Sequence, residues 1–329
     1  MKKIIIVTGA NGFLGNNLIR SIDKNEYEVR AIYHNDSSNI DELDCLKYHA
    51  DILDINSLDE VFTVPKTSKV YVIHAAANIY IGAKYNQSVY DTNVNGTKNI
   101  VKKCLEINAR LIYINSVHSI YKMPNPVREI AVFDQNKVSD LYAKTKAIAA
   151  KYVLDKVKDK NLDAVILQPS SILGPYNYSN DYLVEMIKMV ASKNLTFGIK
   201  GGYDFVDVRD VTNGVLNSLT KGKKGECYIL SGHYETVMNI LNMVCDTCKL
   251  EPIKHKIPLF LIKINFPFIS LYYKITKKPA LFSRNSIKIL QEDIRFSNEK
   301  ASKELNYSTR DLKDTIKDTV KWLKDNKMI

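Results

Sequence analysis

No run of about 20 uninterrupted apolar residues occurs in this sequence, so no membrane-spanning helix is expected. The nearest candidate, Ile257 to Ile275, is broken by Pro258, Lys263, Asn265 and Pro267. Cysteine is scarce, with five scattered residues and therefore an odd count, which argues against a disulfide framework and suits a reducing, cytoplasmic compartment. No zinc-finger spacing, RNA-binding signature or concentrated basic arm appears, so no metal and no nucleic-acid partner is expected. Internal repeats and long low-complexity tracts are missing as well. The apolar start Ile4-Ile5-Ile6-Val7 stops at Thr8-Gly9, too soon for a signal peptide, and reads as a buried first strand.

What is present is an ordinary globular balance over 329 residues, 45% hydrophobic and 25% charged. The net charge of +11 is read as lysine-rich composition rather than as the mark of a polyanionic partner. Lys3–Thr8, Val29–Tyr33, Val70–His74, Leu111–Asn115 and Ala164–Leu167 are short, continuous and rich in β-branched residues. Parallel strands covered on both faces look like this. Helical stretches lie between them, including Gly12–Ile22, Thr92–Glu106 and Tyr142–Lys156. The alternation predicts an α/β fold: a doubly wound parallel sheet of Rossmann type over residues 1–170. Residues 171–329 are expected to form mainly a smaller C-terminal α/β substrate lobe, with some strands and helices returning to the first domain. Helices are expected over Asp181–Ser192 and Asn298–Asn326.

Thr8-Gly9-Ala10-Asn11-Gly12-Phe13-Leu14-Gly15 follows the first strand and opens the first helix. Gly9 permits a tight turn, Gly12 lets backbone approach a pyrophosphate, and Gly15 allows close helix–strand packing. The helix N-terminus then offers free N–H groups to phosphate. Farther on, Tyr142-Ala143-Lys144-Thr145-Lys146 places a phenol and an ammonium four residues apart, on one helix face. Lys146 is expected to lower the pKa of Tyr142 so that the phenol can move a proton near neutral pH. A hydroxyl at the end of the fifth strand, Ser116, would orient a substrate oxygen, with Ser119 as its rival.

The Gly-x-x-Gly-x-x-Gly spacing after Thr8 resembles the extended branch of the short-chain dehydrogenases/reductases, a part of the epimerase/dehydratase family that includes dihydroflavonol reductases and 3β-hydroxysteroid dehydrogenases. Further segments are similar to that branch in order: Asp51-Ile52, Ile73-His74-Ala75-Ala76-Ala77, Asn93-Val94-Asn95-Gly96-Thr97, Pro169 to Pro175 and Phe205 to Asp210. The resemblance spans roughly residues 3–325 and implies a catalytic Ser116, Tyr142 and Lys146. It implies a cofactor held by Gly9, Asn11, Gly12, Phe13, Leu14, Gly15, His34, Asp51, Ile52, Ala75, Ala76, Ala77, Asn93, Tyr142, Lys146, Pro169 and Ser170. Asn115 departs from the usual hydroxyl residue before Ser116. No acid ends the second strand, where NAD enzymes hold the ribose, and His34 stands where NADP-using reductases often carry arginine, so NADP is preferred over NAD. The resemblance also implies a small-molecule carbonyl or alcohol substrate and a homodimer.

Three readings remain open: a carbonyl reductase or alcohol dehydrogenase, a nucleotide-sugar epimerase, and a non-catalytic dinucleotide sensor. Val117-His118 replaces the Asp-Glu of sugar dehydratases. Tyr203 stands where epimerases often carry a diphosphate-binding arginine, leaving Arg209 or Arg284 as substitutes. His118 is read as a loop residue without a proton role. Cys245 and Cys248 are read as small apolar helix residues. Residues 252–290, basic, aromatic and free of acids up to Leu290, are read as a lid over an apolar substrate, with peripheral membrane contact as the alternative.

Overall fold

Side chains of successive strand residues point to opposite faces, and the first strand puts that geometry to use. In β1 (Lys3–Thr8), Ile4 and Ile6 join one apolar core while Ile5 and Val7 join another. The computed structural model describes residues 3–329 apart from 81, 83, 122, 180, 259, 263, 266–274, 276–289 and 291. The remaining strands of the main sheet are β2 (Tyr27–Tyr33), β3 (Leu46–His49), β4 (Val70–His74), β5 (Arg110–Ile114), β6 (Ala164–Pro169) and Cys227–Leu230. They lie in the order (Cys227–Leu230)-β6-β5-β4-β1-β2-β3, and every pair is parallel. This is a Rossmann-type doubly wound sheet, and its order reverses between β1 and β4.

Helix α1 (Phe13–Ser21) covers one face through Leu18 and Ile19, beside Val211 and Val215 of Val208–Lys221. Thr97–Glu106 and the 20-residue helix Leu141–Lys160 cover the other face through Ile100, Val101, Ala147 and Ala150. Asp140 caps Leu141–Lys160 by accepting from the Ala143 N–H at 2.8 Å. Asn161, in the left-handed region at φ 56°, ends it.

A third core, built on Leu183, Val184, Ile187, Ile240, Leu241, Ile316 and Val320, draws on residues after position 170. Helices Tyr182–Ala191 and Val237–Cys248 contribute to it, with a three-stranded and a two-stranded sheet alongside. The seventh strand of the main sheet and the helix Val208–Lys221 come from the same part of the chain. The expected helix Asn298–Asn326 is two helices, Glu299–Leu305 and Leu312–Asp325. Asn306 takes a left-handed conformation at φ 55° and stops the first, and Asp311 caps the second by accepting from Lys313 N. The proposed lid at 252–290 and Arg284 lie largely or wholly outside the described residues. No helix among the described residues is long and apolar enough to cross a membrane.

Candidate functional site

The carboxyl ends of β1, β4, β5 and β6 meet at one edge of the sheet, next to the point where strand order reverses. In an open α/β sheet that crevice is where ligands bind. The glycines after β1 follow from contacts in it. Gly9 has φ +66°, and a Cβ there would stand 2.7 Å from the backbone N of Ala76. A Cβ on Gly15 would meet the Gly9 carbonyl oxygen at 2.1 Å. Gly12 is the N-cap of α1, with no side-chain cap and no acid in the first turn. A Cβ on it would approach only the Gly9 carbonyl, at 3.2 Å. The first-turn N–H groups, including those of Phe13 and Leu14, therefore face a surface without competing side chains. This cradle fits a dinucleotide diphosphate. The other wall is the Ala75-Ala76-Ala77 segment that leaves β4.

The segment from Pro169 to Pro175 is tied to α1 from below. Asn17 donates to the Pro175 carbonyl at 3.3 Å and Asn16 to the Tyr176 carbonyl at 3.2 Å. Pro169 and the buried Ser170 thus sit at the end of β6 on the same edge. Ile52 is clamped beneath the helix that follows β4: a Cβ on Gly96 would lie 2.5 Å from Ile52 Cδ1, and Asn99 donates to the Ile52 carbonyl at 2.9 Å. Asp51, next to it, pairs with His34 at 3.5 Å, and the His34 side chain is 60% exposed.

Asn93 lies in a π-helical turn, Asp91–Gly96, a feature that often marks functional sites. It is buried, accepts from the Asn78 N–H at 2.8 Å, and donates to the Asn78 carbonyl and to Thr145 Oγ1, each at 3.0 Å.

Ser116, Tyr142 and Lys146 come together where β5 ends. Burial pushes the Tyr142 phenol up to about 12, opposed by its hydrogen bond with Ser116, while the Asp140 carboxylate adds to the rise. Lys146 Nζ donates to the Ile114 carbonyl at 2.8 Å and lies 5.1 Å from the centre of the Tyr113 ring. Burial lowers its pKa to about 7. In the protein alone, then, desolvation governs both groups, and the lowered phenol pKa expected from Lys146 is not what the site displays.

The rival hydroxyl is committed elsewhere. Ser119 Oγ donates to the Ser116 carbonyl at 2.7 Å and accepts from Asn115 and Gln168 at 2.9 and 3.2 Å. Among the described residues the Ser116 hydroxyl accepts a 3.2 Å bond from the His118 N–H and has a hydrogen bond with Tyr142. Arg209 is also engaged: it makes a two-pronged pair with the buried Asp207 and reaches Asp318 at 2.7 Å. It ties the C-terminal helix to the sheet and is not free to hold a diphosphate.

Several residues outside the sequence-derived set contact it. Fully buried His74 bonds Thr8 at 2.7 Å and Thr97 at 3.0 Å. A polar residue closing an otherwise apolar strand was its visible signal. Asp36 lies against the phosphate turn, accepting from Asn11 Nδ2 at 3.1 Å, while Asn39 bonds Asn11 twice. His118 stacks on Tyr203 with ring centroids 5.7 Å apart and lies edge-on to Tyr142 at 6.2 Å. Cys245 and Cys248 are free thiols on one helix, and among the described residues no cluster of three His, Cys, Asp or Glu suits a metal.

Comparison with known proteins adds four findings. A family model described as the NAD dependent epimerase/dehydratase family matches residues 5–231. A putative dihydroflavonol 4-reductase from Synechocystis sp. is 25% identical over 335 residues, covering 99% of this chain and 96% of its own length. A UDP-glucose 4-epimerase from Vibrio cholerae is 28% identical over 182 residues, covering 53% of each chain. The crystal structure of gox2253 superposes with a TM-score of 0.83 at 26% identity, covering 99% of both chains.

Proposed function

Since this chain belongs to the NAD dependent epimerase/dehydratase family, we propose that it is an oxidoreductase interconverting a small-molecule carbonyl and its alcohol. The observation that carries this reading is the meeting of Ser116, Tyr142 and Lys146 beside the glycine cradle at the switch point of the sheet. The full-length match to a reductase supports it, as does the engagement of Arg209 with Asp207 and Asp318, which takes up one of the two arginines that could stand in for an epimerase's diphosphate-binding residue.

Gly9, Gly12, Gly15 and the first-turn N–H groups of Phe13 and Leu14 would hold the cofactor diphosphate, with Ala75–Ala77 and Pro169-Ser170 flanking the rest. A bound nicotinamide ring supplies or accepts the hydride. Ser116 holds the substrate oxygen by hydrogen bond, and Tyr142 gives it a proton in reduction or removes one in oxidation. Lys146, four residues along the same helix and 2.8 Å from the Ile114 carbonyl, assists the ionisation of the phenol once protonated.

We read the cofactor as NAD rather than the NADP favoured by sequence. Residues 36–44 carry Asp36, Asp41, Glu42 and Asp44 without a Lys or Arg, and Asn11 binds the Asp36 carboxylate at the mouth of the cradle. A 2′-phosphate placed there would meet like charge.

The test is NADH and NADPH fluorescence titration followed by a panel of aldehydes, ketones and UDP-sugars. Binding with cofactor consumption on a carbonyl supports the reading. Binding without consumption but with sugar-nucleotide interconversion replaces it with an epimerase, and absence of binding by either cofactor overturns it.

A further inference from the structure

We infer that His118 is a second substrate-contacting residue, and that the substrate carries a second oxygen within two carbons of the carbonyl served by Tyr142. This rests on the carbonyl–alcohol reading above.

His118 sits in a 3₁₀ turn, Val117–Ser119, directly after the strand that delivers Ser116. Its backbone N–H bonds the Ser116 hydroxyl, so the imidazole and the oxygen-binding hydroxyl leave the same turn. Three contacts fix the ring. It lies nearly parallel to Tyr203, at 16°, with Nε2 and the Tyr203 hydroxyl 2.9 Å apart. Tyr203 is itself braced edge-on by Phe205, 6.2 Å away. The Tyr142 ring stands at 73° to the imidazole.

Among the described residues, the other ring nitrogen, Nδ1, has no hydrogen-bond partner, and the side chain is half-buried rather than sealed from solvent. Burial lowers the pKa of the ring, against the pull of Asp140, so an uncharged imidazole presents one donor or one acceptor there.

A rigid, polar nitrogen in an aromatic wall needs a partner when substrate displaces water. Sites built to bond a substrate oxygen reject the analogue that lacks it. The short gap between the Tyr142 and His118 rings, with centroids 6.2 Å apart, limits the span to a few atoms. An oxygen on the adjacent or the next carbon fits that span.

The experiment compares kcat/KM for acetophenone and α-hydroxyacetophenone with NADH, in the wild type, His118→Phe and Tyr203→Phe. NADH binding and thermal melts establish that each variant is folded. The wild type is expected to favour the hydroxy ketone by about 10-fold or more, a fraction of what fully buried polar sites achieve because His118 is only half-buried. His118→Phe should bring the ratio close to one. Tyr203→Phe, which keeps the ring stack but frees the imidazole, should give an intermediate ratio. Equal kcat/KM for the two ketones in the wild type overturns the inference, and so does a preference that survives in His118→Phe. Should His118→Phe not fold, the wild-type ratio and Tyr203→Phe decide. If no carbonyl compound is reduced with either cofactor, the carbonyl–alcohol reading fails and takes this inference with it.

Discussion

Asn93 donates its side-chain amide to Thr145 Oγ1 at 3.0 Å, joining the π-helical turn after β4 to the helix that carries Tyr142. The bond is one link in a longer buried chain. Ala76 N–H donates to Thr8 Oγ1, which meets His74 Nδ1; His74 Nε2 meets Thr97 Oγ1, which donates to the Asn93 carbonyl. Since Thr97 spends its proton on Asn93, the His74 Nε2 must be the protonated nitrogen and Nδ1 the acceptor. The phosphate turn, the β4 exit and the Tyr142 helix are thereby held as one unit. Replacing Asn93 by Leu removes a donor and an acceptor and leaves Asn78 N–H and its carbonyl without partners. A loss of about 1–3 kcal/mol in stability is expected. Below the melting temperature, kcat should fall more than cofactor affinity. Urea denaturation and steady-state kinetics check both, and an unchanged kcat would detach this chain of bonds from catalysis.

His74 makes acid stability testable. Burial lowers its pKa from 6.5 to about 3. The folded protein therefore binds fewer protons than the unfolded chain between those values, so stability is fully present above about pH 6.5 and declines as pH falls toward 3. At pH 4 the loss is about 3 kcal/mol. His74→Gln, which keeps one donor and one acceptor, should flatten the dependence of the urea midpoint on pH between 6.5 and 4. A slope identical to the wild type would mean that other groups drive the acid transition.

The buried part of this architecture was legible because continuous β-branched runs such as Ile4-Ile5-Ile6-Val7 leave few alternatives to a strand covered on both faces. The glycine turn and Tyr142-x-x-x-Lys146 were legible because each spacing has one geometric use in that setting. Other features depend on contacts between distant residues. Asp36 stands three positions beyond the end of β2 and gains its place only because Asn11 and Asn39 fold the loop back. The strand His233–Thr236 buries no residue fully and has no apolar run to announce it. The break between the last two helices begins at one left-handed residue, Asn306, and runs to the cap Asp311. The contact of His118 with Tyr203, 85 positions later, is another that no local pattern announces.

The two serines after β5 should separate chemistry from stability. Ser116→Ala removes the hydroxyl that faces Tyr142, and a fall in kcat of roughly 10²–10³-fold with little change in melting temperature is expected. Ser119→Ala instead strips a hydroxyl bonded to Ser116, Asn115 and Gln168, all buried. It should lower the melting temperature while residual folded enzyme keeps most of its kcat. Reversal of the two phenotypes would move the oxygen-binding role to Ser119.

Asp36 offers a test of cofactor choice away from the reacting atoms. Its carboxylate is held below the usual range by bonds from Ser38 first and Asn11 in addition, so it is charged at neutral pH. Asp36→Asn keeps the shape and removes the charge. The ratio of kcat/KM for NADH over NADPH should drop by about 5-fold or more, mostly through better NADPH binding. A wild-type preference for NADPH, or a ratio untouched by the substitution, would place the 2′-hydroxyl elsewhere.

Lys146 and Tyr142 sit where stability and activity pull in opposite directions. Burial lowers the Lys146 pKa from 10.5 to about 7. The unfolded chain thus holds a proton that the folded one gives up between pH 7 and 10.5, so stability rises with pH across that window and the full cost is felt below pH 7. The Ile114 carbonyl and the Tyr113 ring offset part of this cost. Lys146→Met should therefore melt higher than the wild type at pH 7, by about 1–2 kcal/mol in stability, with the gap closing as pH approaches 10. Its turnover should be lost. Tyr142→Phe should keep NADH binding by fluorescence titration while kcat falls by roughly 10²–10⁴-fold. A Lys146→Met variant that melts lower at pH 7 would mean that the ammonium is better solvated by its two partners than burial suggests. A Tyr142→Phe variant with near-normal kcat would hand the proton transfer to another group, and His118, edge-on to the same ring, would be the first to examine.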